Sequence, residues 1–173
     1  MSDNPLKILV LASEVVPFAK TGGLADVAGA LPKALKEMGH DVRVVMPGYG
    51  FIDRQKFGLN EIISDLRVPM NSQTATAAIL EGRIGDQVPV YFVDNKKYYD
   101  REGVYMYQDD ADRFVFLSRA AMEMLKRLNW APEIMHCNDW HTAIIPNWLK
   151  TIYQDDPFFQ NTVSVFTIHN LAY

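Results

Sequence analysis

Cysteine is almost absent from this 173-residue chain, and the lone Cys137 excludes an internal disulfide framework and fits a reducing compartment. Long apolar runs are absent too. The first, over residues 7–12, ends at Ser13 and Glu14, too short for a signal-peptide core or a membrane span, so a cytoplasmic protein without a membrane partner is expected. Positive charge is not in excess: 17 Lys and Arg face 21 Asp and Glu, and no basic stripe points to nucleic acid. Repeats and low-complexity segments are missing. What remains is 49% hydrophobic and 22% charged, as in a globular domain, and a chain of this length buries roughly 70% of its unfolded surface, enough for one core.

The periodicity alternates between strands and helices. Residues 7–12 form a continuous apolar run, expected of a strand buried on both faces of a parallel sheet, and 42–46 repeat it before Pro47 and Gly48. Between them Leu24, Val27, Ala28, Leu31, Leu35 and Met38 recur at helical spacing, with Pro32 predicting a break or kink near Leu31. His40 follows that helix and is read as a partner for its C-terminal dipole. Three more strands are expected at 62–69, 74–81 and 88–94, with turns at Asn71 and Ser72 and from Gly82 to Gln87. Asp109 or Asp110 is placed to cap a long helix carrying Phe114, Leu117, Ala121, Met124, Leu125 and Leu128, ended by Trp130 to Pro132. Strands at 133–137 and 163–168 flank a helix from about Thr142 that contains Pro146. The fold class is α/β, a Rossmann-like parallel sheet flanked by helices, and ligands of such sheets bind at the carboxyl ends of the strands.

Three segments therefore meet at one rim. Lys20, Thr21, Gly22 and Gly23 lie between the first strand and helix, where backbone N–H groups and the helix dipole attract an anion. Neither GxxxxGK[ST] nor GxGxxG fits this spacing. The glycines merely turning the chain, with Lys20 solvated, is the alternative. Asp139 and Trp140 follow the 133–137 strand; Asp139 is a helix cap or a catalytic carboxylate, and Trp140 a core ring or a sugar-stacking surface. His169 and Asn170 follow the last strand. His136 and His141 do not have the spacing of a helical metal pair, so no metal is expected. Cys137 and His136 point to opposite faces of a strand, which excludes a direct thiolate and imidazole pair. Asp109, Asp110 and Asp112 complement a helix dipole rather than forming a paired-carboxylate site, and nothing in the spacing sets Glu14 and Asp139 opposite each other across a sugar.

KTGGLADV (20–27), YYDREGVYMYQDDADRF (98–114), HCNDWHTAIIP (136–146) and FTIHNLAY (166–173) together resemble the N-terminal catalytic domain of bacterial glycogen synthases and plant starch synthases, over essentially the whole chain. With no Ser- and Arg-rich, acid-poor leader, the bacterial branch is expected. The resemblance implies a retaining glucosyltransferase of the B type, in which two Rossmann-like domains face across a cleft and glucose passes from ADP-glucose to the non-reducing end of an α-1,4-glucan. No cofactor is implied. By matching positions, Lys20, Thr21, Gly22 and Gly23 approach the donor's phosphates and sugar, His169 and Asn170 contact the transferred glucose, and Asp139 and Trp140 line the sugar side, joined by Tyr105 and His141. Asp139 and His169 are the expected catalytic pair. Residues 1–173 are expected to be part of the first domain, inactive without the second, with glucan or sugar-phosphate binding or self-association of the truncated chain as alternatives.

Overall fold

The computed structural model describes residues 4–171 apart from Ser72 and Asp86, so those two turn positions and Ala172 and Tyr173 of the last motif lie outside the described residues. The strands are β1 (Lys7–Leu11), β2 (Asp41–Pro47), β3 (Asn60–Met70), β4 (Gln73–Ile84), β5 (Val88–Asp94), β6 (Ile134–Asn138) and β7 (Val163–Thr167). The helices are α1 (Gly23–Glu37), α2 (Lys96–Tyr99), α3 (Asp110–Arg127) and α4 (Ile144–Leu149), with a 3₁₀ turn at Trp140–Thr142.

One seven-stranded sheet runs in the order β3-β4-β5-β2-β1-β6-β7. β5, β2, β1, β6 and β7 are parallel, while β4 is antiparallel to both its neighbours. The apolar runs explain the centre: Leu9 and Leu11 of β1 pair in register with Met135 and Cys137 of β6, all fully buried. At the hairpin edge β3 alternates instead, with Ile63, Leu66 and Val68 inward and charged residues outward, as an edge strand with one wet face requires. The chain moves from β1 to β2 and out to the hairpin, then returns on the other side of β1 at β6. That reversal opens a crevice at the carboxyl ends of β1 and β6.

Four expectations are corrected. α1 continues through Pro32, because Leu24, Ala25, Ala28, Gly29 and Pro32 are all buried and that packing outweighs one missing hydrogen bond. Gly82 lies inside β4 rather than opening a turn; a side chain there would meet Leu59 and Phe92 at 2.5 and 3.1 Å. The His40 side chain bonds across to the residue before β1 rather than to the end of its own helix, its Nδ1 accepting the Leu6 N–H at 3.2 Å. Neither Asp109 nor Asp110 caps α3 with its side chain: Asp109 accepts from Arg101 and Asp110 from the Met106 N–H and Arg113. Pro146, by contrast, sits in the first turn of α4, where its missing N–H costs nothing.

Candidate functional site

The loop between β1 and α1 is built around an internal anion. Glu14 is 2% exposed, and its Oε2 accepts the N–H and the hydroxyl of Thr21, the latter at 2.8 Å, and the Gly22 N–H at 3.3 Å. The anion-attracting groups expected at the glycine turn are thus shared. Thr21 and Gly22 serve Glu14, and the open first turn of α1 from Gly23 and Leu24 is left for an external ligand. Lys20 extends outward, its ammonium 2.7 Å from Asp26 in a pair whose side chains are each more than half exposed. Such a pair is weak and easily exchanged for a stronger anion.

At the end of β6 the backbone turns through an unusual conformation. Asp139 has φ 58° and ψ −179°, a region that glycine alone adopts without strain, at a cost of about 1–3 kcal/mol. Its neighbours over-determine it: the Asp139 N–H donates to the Thr167 carbonyl at 2.8 Å, the Thr142 hydroxyl donates to the Asn138 carbonyl at 3.0 Å, and the Asp139 carboxylate accepts the Trp140 N–H at 3.1 Å. Asp139 is therefore a cap, as one reading held, and it also lines the cavity described below.

Asn138 sets the imidazole of His169. The Asn138 amide nitrogen donates to the carbonyls of Leu11 (3.1 Å) and His136 (3.2 Å), so its oxygen faces His169 Nε2 at 2.9 Å. An oxygen cannot donate; Nε2 must carry the proton, and Nδ1 is left for a ligand. His136 is held apart, its Nε2 2.8 Å from the Thr167 hydroxyl, and burial lowers its pKa.

His141 is the most constrained of the candidates. It is 3% exposed, lies 4.8 Å from the Tyr105 ring in a near-parallel stack and 4.5 Å from the edge of Phe114, and is covered by Trp140 at 4.1 Å. Neither ring nitrogen has a hydrogen-bond partner. Burial, assisted by the nearby Arg113 charge, pushes its pKa down to about 3, so the ring is neutral. The Tyr105 hydroxyl lies 2.7 Å from the Ser13 hydroxyl, and burial raises its pKa well above the usual phenol range.

These groups surround one cavity of about 500 Å³. It brings together Thr21, Gly22, Gly23, Tyr105, Asp139, His141, His169 and Asn170, adds Glu14, Leu24 and Val27, and leaves Lys20 and Trp140 outside its wall. Two carboxylates line it and, among the described residues, no lysine or arginine does. Cys137 lies beneath in the core, its thiol pushed up to about 12 by burial. Among the described residues no three His, Cys, Asp or Glu side chains gather as metal ligands, and no helix is long and apolar enough to cross a membrane. Sequence reasoning missed the Glu14 contacts and Asn138. The only signal for Asn138 was its place beside Asp139 at the end of a strand.

Comparison with known proteins shows the family and the fold. The family model described as the starch synthase catalytic domain matches residues 7–173. Glycogen synthase 1 of Geobacter sulfurreducens is 51% identical over 97% of this chain and 35% of its own length, and glycogen synthase of Desulforudis audaxviator is 49% identical over 100% and 36%. The chain thus spans about a third of the length of these curated relatives. Among solved structures, the catalytic domain of starch synthase IV from Arabidopsis thaliana, bound to ADP and acarbose, superposes with a TM-score of 0.89 at 31% identity, over 96% of this chain and 34% of that one. With a match from β1 to the last residue and half of its positions identical to a glycogen synthase, this chain belongs to the starch synthase catalytic domain family.

Proposed function

We propose that this chain is part of the first of two Rossmann-like domains of a retaining glucosyltransferase that moves glucose from ADP-glucose to the non-reducing end of an α-1,4-glucan. The observation that carries the reading is the single cavity in which the glycine turn, Asp139, His141, His169 and Asn170 converge at the ends of three parallel strands. The ADP in the Arabidopsis starch synthase IV structure supports an adenine nucleotide as donor. A free buried cysteine is consistent with work in the cytoplasm.

Each residue has a task set by its geometry. The open turn of α1 faces the diphosphate, and Lys20 leaves Asp26 to add a full charge as negative charge grows on the departing phosphate. His169 offers Nδ1 to a hydroxyl of the transferred glucose, with Asn170 beside it, and Asp139 orients hydroxyls of the same sugar. Tyr105 and His141 form the wall toward the acceptor, with Trp140 packed over His141 from outside the cavity. The leaving phosphate accepts the acceptor's proton as the new glycosidic oxygen bond forms, so no protein base is needed. A cavity lined, among the described residues, by two carboxylates and no lysine or arginine cannot alone stabilise a leaving diphosphate. Lys20 alone does not balance a diphosphate, so further cations come from across the cleft, and the 173-residue chain by itself is expected to be inactive.

Glucose transfer from ADP-glucose to glycogen, measured for this chain and for a version extended to the length of its relatives, tests the reading. Activity in the extended form alone is expected. Activity in neither overturns the transferase, and robust turnover by the short chain overturns the need for a second domain.

Self-association of the 173-residue chain is a second reading, favoured by β7. This strand ends the sheet with one edge unpaired, and Val163, Val165, Phe166 and Ile168 near it are exposed. Sedimentation is expected to show a concentration-dependent dimer or larger species; a monomer at all concentrations rejects it.

A further inference from the structure

Among the described residues Arg113 is the largest fully buried side chain, and it does not line the cavity. A buried guanidinium is costly unless most of its donors are met. Here Nε donates to the Tyr98 carbonyl at 2.7 Å, and Nη1 donates to the Val104 carbonyl at 2.9 Å and to Asp110 at 2.6 Å. Nη2 has no hydrogen-bond acceptor, but the guanidinium carbon lies 4.8 Å from the Tyr107 ring and 5.4 Å from the Phe114 ring, so aromatic faces supply part of the missing solvation.

The arrangement links two otherwise separate places. Tyr98 lies in α2 and Val104 in the irregular segment that follows it, and one planar fork holds both carbonyls at once. Tyr105 directly follows Val104, reaches Ser13 at the end of β1, and stacks on His141 at the end of β6. Asp110 of α3 also reaches this segment, its carboxylate accepting the Met106 N–H at 2.8 Å, but Arg113 bonds it at two places. Arg113 thus holds the carbonyl of the residue before Tyr105, while the Tyr105 hydroxyl lies against Ser13.

We propose that Arg113 is a positioning residue for the sugar side of the cavity: by fixing the segment from Tyr98 to Val104 it holds the Tyr105 ring on His141. This deepens the acceptor-side reading and rests on it. Lysine at this position keeps the charge but has no fork, so it cannot bind both carbonyls. Methionine keeps bulk and loses both charge and donors.

The test uses the 173-residue chain carrying Arg113→Lys or Arg113→Met, with thermal melting, the nuclear Overhauser effect between the Tyr105 and His141 rings, and a maltoheptaose titration. The Lys variant is expected to melt cooperatively, to lose the ring-to-ring signal and to bind maltoheptaose about tenfold more weakly than the parent. If the Met variant does not fold, the Lys variant decides. A lowered melting temperature with the ring signal and affinity intact means that Arg113 only stabilises the core, and overturns the proposal. If the parent chain binds no maltoheptaose, the acceptor-side reading falls, while the ring signal still decides what Arg113 positions.

Discussion

Replacing Glu14 with alanine is expected to lower glucosyl transfer by the extended protein about a hundredfold, the scale of a loop misplaced by about 1 Å near reacting groups. The reason is local. One carboxylate oxygen holds two successive backbone N–H groups and a hydroxyl, and these bonds set the path of the chain into α1. Alanine leaves all three donors unmet in a half-buried loop, each worth about 1.5–3 kcal/mol when bound to a charged acceptor. Gly22 and Gly23 then have no side chain of their own to hold the turn. Glutamine keeps an oxygen in the same place with bonds roughly half as strong, and is expected to cost about tenfold or less. Steady-state rates of both variants, with melting curves to confirm folding, check the ordering. Wild-type rates in the alanine variant would show that the turn is set elsewhere, and faster transfer by the glutamine variant would mean that Glu14 repels the donor instead of shaping its site.

Glu14 also marks where the sequence stops being legible. The strands were readable because buried parallel strands are continuous apolar runs, and β1, β2, β5 and β6 fall where those runs lie. The rim was readable because the ends of strands carry ligands, and Asp139 and His169 do border one cavity. A glycine turn announces free N–H groups, however, and says nothing of a carboxylate seven residues earlier folding back onto them. Pro32 misled in the opposite sense, since a local rule about one hydrogen bond carries no information about the burial on either side of it. Arg113 was illegible for a third reason: an arginine beside an apolar helix stripe reads as solvated until the carbonyls of a distant segment are seen around it.

The largest effect on stability is expected from acid, through His141. Its pKa is held near 3, well below the usual 6.5, first by burial and then by Arg113. The folded chain thus refuses a proton that the unfolded chain binds, so stability is lost as the pH falls from about 6.5 towards 3. At pH 4.5 the deficit is two units, or about 2–3 kcal/mol. The lowered pKa of His136 acts with the same sign. Asp156, whose pKa Lys126 lowers, gives up its stabilisation only at pH values below the ordinary carboxylate range. Denaturant unfolding at pH 7 and pH 4.5 measures the loss, and His141→Phe isolates its source. Phenylalanine fits the slot between the rings of Tyr105, Phe114 and Trp140 and brings no unpartnered nitrogen, so this variant is expected to match or exceed the parent at pH 7 and to lose about 2–3 kcal/mol less on acidification. Equal pH dependence in both proteins would place the acid sensitivity elsewhere. A histidine kept neutral, enclosed by rings and without a hydrogen bond is a net cost to the fold, and a phenylalanine would remove it.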